Sequence, residues 1–204
     1  MAFADAVVAI AITLLVLPLL DIPGEATSTS VSEIWANHGS QFAMFVLSFV
    51  IIARLWLSHH NTGERLARGD PWILVTTLVW LLTVVFLPFP TELLGELGNT
   101  RSVAAVYIST LLINVTCLAL QARHLSRRPA MWRDGGTAEQ MQVWVAGWWS
   151  NPVLTALALV VCWIPGVGIW ATLLLFLDPL LTRVALRRRR TRALTAVGID
   201  QPSA

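Results

Sequence analysis

Apolar residues in this chain fall in long unbroken runs rather than in one stripe per turn. Six runs stand out, roughly residues 5–20, 40–58, 72–88, 102–122, 152–165 and 168–186. A membrane-crossing helix needs about 20 mostly apolar residues, within a range of about 17–25. The first and fifth runs are short for that. The fifth is expected to begin earlier, near Trp148 and Trp149, where aromatic rings suit a membrane interface. Pro88-Phe89-Pro90-Thr91 is expected to end the third helix, because proline cannot continue a helix and the residue before it avoids helical angles.

The first run has a further order. At about 100° per residue, Phe3, Ile10, Leu14 and Leu17 share one narrow face, Thr13 lies at its edge, and Asp21 returns to it at the far end. Aliphatic rungs closed by a carboxylate have two readings. They form an ordinary packing seam, or they line a hydrophobic constriction in a pore. One helix cannot enclose a pore, so the second reading requires several copies around an axis.

Composition fixes the class. Of 204 residues, 56% are hydrophobic and 13% charged, against about 25% charged in soluble domains. The chain is therefore expected to be an all-α membrane protein with six transmembrane helices. Residues 1–128 carry helices 1–4, 129–147 form a polar linker, 148–190 carry helices 5–6, and 191–204 form a tail. All fourteen basic residues are Arg, which we read as the codon bias of a GC-rich genome. The arginines alternate between loops. Arg65 and Arg68 follow run two, and Arg123, Arg127, Arg128 and Arg133 follow run four. Arg183, Arg187 to Arg190 and Arg192 follow or close run six. The loop after run one and the Pro165-Gly166 turn have none, and the third loop has only Arg101. That alternation places both termini in the cytoplasm. Arg187 to Arg190 read as a patch for anionic lipid headgroups, with no nucleic-acid role.

Catalytic motifs are missing. No HExxH, GxSxG or P-loop occurs. Adjacent His59 and His60 point about 100° apart on a helix, a poor geometry for one metal. Cys117 and Cys162 sit alone within apolar runs. No enzyme, metal site or cofactor is expected. Asp5 is informative, because an acid in a membrane helix needs a partner unless it only caps the first turn. Arg54, Trp56, His59 and His60 end the second helix at the same depth, so a polar latch between Asp5 and this cluster is expected. The sequence leaves open which member bonds it.

The run from Phe3-Ala4-Asp5 to Leu17 resembles the opening signature of the transmembrane protein 175 family, the potassium channels with a Phe-Ser-Asp motif on the first helix. Ser48-Phe49 and Trp56-Leu57-Ser58-His59-His60 resemble its second helix. Leu87-Pro88-Phe89-Pro90-Thr91 resembles the end of its third, and Tyr107 a fourth-helix position. The resemblance implies a six-helix subunit, a homotetramer around helix one, and a potassium-permeable channel of the prokaryotic branch in the bacterial inner membrane. It implies weak-to-moderate selectivity over sodium and a constriction at Ile10, Leu14 and Leu17, with potassium as the permeant ion. Asp21 would gather cations near the outer mouth. The chain departs from the pattern at Ala4, where the family has Ser, and the family's upstream Arg has no counterpart after Met1, so either the true start lies upstream or this member lacks that arginine. Pro18 is also unusual inside the helix. A secondary transporter and a non-conducting membrane scaffold are the competing readings. A transporter would show mid-membrane charges and repeated halves, and neither is evident.

Overall fold

A computed structural model describes residues 2–25, 30–66, 69–133 and 149–177. These residues form helices α1 (Ala2–Leu14), α2 (Leu17–Glu25), α3 (Val31–Glu64), α4 (Pro71–Phe86), α5 (Pro88–Leu97), α6 (Arg101–Ser126) and α7 (Ser150–Val161). Short 3-10 turns follow α6 at Pro129–Met131 and α7 at Gly168–Leu177. Among the described residues the only extended pairing is an isolated bridge between Leu66 and Trp132. Most of the expected linker and the later half of run six lie outside the described residues, as does Arg187 to Arg190.

Among the described residues, four helical stretches are long and apolar enough to cross a membrane: Ala2–Pro23, Val31–Glu64, Pro71–Glu96 and Arg101–Ser126. The chain is a multi-pass, all-helical membrane protein. At 34 residues, α3 is about 50 Å long, well beyond a hydrocarbon core of about 30 Å. Its start is nine residues earlier than the apolar run, because the polar stretch before residue 40 continues the helix outward.

The expectation at Pro88 needs correcting. Proline does end α4 at Phe86, but α5 begins at once with Pro88 in its first turn. Leu87 keeps helical angles (φ −56°, ψ −36°). A proline at the first helical position loses no bond, since that amide has no partner inside its own helix. The stretch continues to Glu96 with a joint rather than a stop.

The core runs along α6, the most enclosed helix, with Ala104, Tyr107, Ile108, Leu111 and Asn114 fully buried. α3, α4, α5, α7 and the final 3-10 turn all pack against it. Helix one lies at the edge, against α3 and α4. The final turn is held by Asn99, whose carbonyl oxygen accepts from the Ile169 amide at 2.7 Å. Gly168 there has φ +45°, and an added Cβ would run into the Asn99 side chain.

Candidate functional site

Helix one has two faces. Ala4, Val8, Ala11 and Leu15 are buried against the rest of the subunit. Phe3, Ile10, Leu14 and Leu17 are 67%, 60%, 37% and 52% exposed. Thr13 and Asp21 are exposed on the same outward side. The face that the spacing selected is thus the one that the single subunit leaves uncovered. The inward face is made of small or single aliphatic residues, which lets α1 lie close against its neighbours.

The helix breaks inside this face. α1 stops at Leu14 and α2 begins at Leu17. The amides of Leu15 and Val16 bond to Ile12 and Thr13 carbonyls at 3.3 and 3.2 Å, a tighter i→i−3 turn. Pro18 accounts for the break, since it has no N–H to give to Leu14. A cavity of about 20 Å³ lies behind it, lined by Leu15, Pro18, Leu19, Gln41 and Thr91 among others. It is large enough for one water.

At the arginine-rich end, the expected cluster separates into three parts. Trp56 donates its indole N–H to Asp5 Oδ1 at 2.8 Å. His60 Nδ1 stands 3.9 Å from that oxygen, while its Nε2 faces Glu64 at 3.3 Å. Trp56 and His60 also face each other, ring centroids 5.1 Å apart. His59 turns the other way. It is buried and its ring lies tilted by 30° against that of Trp80 on α4, centroids 4.2 Å apart. Arg54 leaves the cluster altogether, donating to the Leu175 carbonyl at 2.6 Å and to Asn151 Oδ1 at 3.5 Å. On α3 the four side chains point along different radii, so shared depth does not bring them to one partner.

Buried polar bonds lock the scaffold behind helix one. Ser48 Oγ lies 2.8 Å from Thr91 Oγ1 and 3.0 Å from the Tyr107 hydroxyl, joining α3, α5 and α6. Those three residues belong to three separate motifs of the sequence. A second cluster joins α4 to α6: Trp80 donates to Asn114 Oδ1 and Asn114 Nδ2 to Thr83 Oγ1, both at 2.8 Å. Sequence reasoning missed this cluster, although a lone Asn within an apolar run is a signal.

It also missed Asp70. This side chain caps α4 by accepting from the Trp72 and Ile73 amides at 2.8 and 3.2 Å. It holds the end of α6 through His124 at 3.3 Å and, just past the helix, Arg128 at 3.1 Å. Desolvation pushes the Asp70 carboxyl up. Hydrogen bonds from His124 and the two amides outweigh it and hold the group below its ordinary value. Asp-Pro before an apolar run is a legible cap signature.

Residues 1–88 match the family model described as the endosomal/lysosomal potassium channel TMEM175. The chain is 37% identical over 139 residues to a potassium channel of Streptomyces collinus, covering 62% of this chain and 63% of that one. A potassium channel of Chamaesiphon minutus is 31% identical over 148 residues, with 69% and 66% covered. The chain belongs to the TMEM175 family. A solved structure of a lysosomal potassium-selective channel TMEM175 homolog from Chamaesiphon minutus shares its fold, with TM-score 0.67 and 24% identity. That likeness covers 92% of this chain and 94% of the other. The chain spans a little under two thirds of the length of those two curated potassium channels. The TMEM175 match includes helix one, its break and the Asp5–Trp56 pair.

Proposed function

We propose that this chain is a subunit of a potassium-permeable channel, a homotetramer whose helix one faces a shared axis. The observation that carries the reading is the uncovered face of Phe3, Ile10, Leu14 and Leu17. It coincides with the aliphatic face chosen by spacing alone, on the helix where the family match begins. Relatives that carry the name potassium channel support the choice of ion.

Ile10, Leu14 and Leu17 form successive aliphatic rings. A closed ring sheds water, and a widened one passes a partly hydrated cation. Asp21 on the same face raises the cation concentration at the outer mouth. Selectivity over sodium is weak to moderate, as the family resemblance implies; the ring side chains carry no oxygen, and Thr13 stands only at the edge of their face. Asp5 and Trp56 form the latch that fixes helix one to α3, with His60 beside it. Both termini lie in the cytoplasm of a bacterial cell, and anionic lipid contacts the tail arginines. Potassium is the permeant ion, and no cofactor or catalytic step takes part.

The test is potassium flux into liposomes holding the purified protein, with the symmetry of the particle imaged in parallel. Flux that dissipates a gradient without coupling, from a fourfold particle with helix one innermost, is the expected result. Strictly coupled flux would favour a transporter. A lone subunit without flux would favour a scaffold.

A further inference from the structure

The break in helix one leaves a crevice on the inner side of the hinge. Pro18 turns into the subunit there and lines the cavity behind the break. Leu15 is the buried floor, and Pro18, Leu19, Phe45 and Pro88 stand half-buried around it. The closed part has room for one water. With its open mouth the crevice has about 310 Å³ of free space, at the lower end of the range for small-ligand sites. Its walls come from α2, α3 and α5, at the end of the bundle opposite the arginine-rich loops.

The rim has a different chemistry. Glu92 and Glu96 stand one turn apart on α5, exposed and bordering the crevice. Among the described residues neither carboxylate has a hydrogen-bond or ion-pair partner. Gly95, between them, keeps the mouth clear, since a Cβ there would stand 3.1 Å from Gln41 Cγ. The Gln41 amide oxygen already faces His38 at 3.0 Å. Apolar walls under two unpartnered carboxylates complement one kind of small molecule, an apolar body that carries a protonated amine. A hard metal ion wants oxygens on all sides and would meet hydrocarbon on one. An anion would be repelled by the rim.

We infer that this crevice binds a small amphiphilic amine, its apolar body against Pro18, Leu19 and Phe45 and its ammonium group between Glu92 and Glu96. The occupant wedges the hinge. It sits between helix one and the α3–α5 wall, so it pushes the stretch from Leu17 onward away from that wall. Where helix one faces a shared axis, that push narrows the Leu17 ring and slows conduction. This consequence rests on the channel reading, whereas the binding does not.

Phenethylamine is the probe, and 2-phenylethanol, with the same ring and no charge, is its control. Calorimetric titration of the purified protein in phosphatidylcholine nanodiscs is expected to show saturable binding of the amine, with the alcohol about tenfold weaker. Glu92→Gln combined with Glu96→Gln is expected to bring the amine level with the alcohol. Both side chains are exposed, so the fold stands. Leu19→Phe fills the crevice and is expected to abolish amine binding, which a blocker on the axis would not feel. Potassium flux in liposomes should fall when the amine is added to wild type and stay unchanged by it in the double variant. Equal binding of amine and alcohol to wild type overturns the site. Wild-type amine affinity in both variants does so too, as does a lipid chain or a second subunit seated in the crevice of the imaged particle. Amine binding without potassium flux upholds the site and overturns the channel reading, and flux without amine binding does the reverse.

Discussion

Trp56 and Asp5, 51 positions apart, share a 2.8 Å hydrogen bond that ties the first turn of helix one to α3. The carboxylate is about one-third exposed and has His60 as its second neighbour at 3.9 Å. A bond to a charged acceptor at that exposure contributes about 1 kcal/mol. Trp56→Phe keeps the ring and removes the donor. It should lower the melting temperature of the assembled protein by a few degrees and change open probability. Asp5→Ala should do the same, and the double variant should add little. Additive losses would show that the two side chains act separately.

The proposed aliphatic rings make a sharper test. If helix one faces a shared axis, Leu14→Ala would widen a ring there and Ile10→Asn would let water enter a dry one. Both should raise single-channel conductance or change ion preference, with oligomer size unchanged. Currents identical to wild type in both would remove these residues from the pore.

Asn114 is fully buried and serves Trp80 and Thr83 at once. Asn114→Ala leaves the Trp80 N–H without its acceptor inside the bundle. The expected cost is about 1–3 kcal/mol for the stranded group alone. Chemical denaturation in detergent should show it, with little change in ion preference in the protein that remains folded.

Asp70 gives a sign for pH. Its folded-state value lies below its unfolded one, so the ionised carboxylate stabilises the fold. That contribution is complete at neutral pH, declines once pH falls through the unfolded carboxyl's range, and is gone below the folded value. Below about pH 5, wild type should therefore lose thermal stability more steeply than Asp70→Ala. Parallel acid limbs for the two proteins would exclude Asp70 as the group responsible.

What was legible in the sequence follows the range of each signal. Membrane class, the runs and the grouping of Phe3, Ile10, Leu14 and Leu17 on one face of helix one come from composition and a 100° period, which need only neighbours along the chain, whereas only the packed subunit shows that this face is left uncovered. Pro18 and the Asp70 cap are also local, and the break at Leu15–Val16 follows from a missing N–H. The joint at Pro88 was misjudged because proline breaks or begins a helix depending on whether the chain beyond it can turn helical again.

The rest required three dimensions. The sequence by itself determined that Asp5 either caps its helix or needs a partner, and four residues of α3 stood at the right depth. Only the packing of α1 on α3 chose Trp56, sent His59 to Trp80, and sent Arg54 to Leu175. Likewise Ser48, Thr91 and Tyr107 are separate marks along the chain and one buried cluster in the fold. Depth and face are periodic properties of a single helix. Which polar atoms meet depends on how far neighbouring helices rotate and approach, and that is set by side-chain packing between segments distant in sequence.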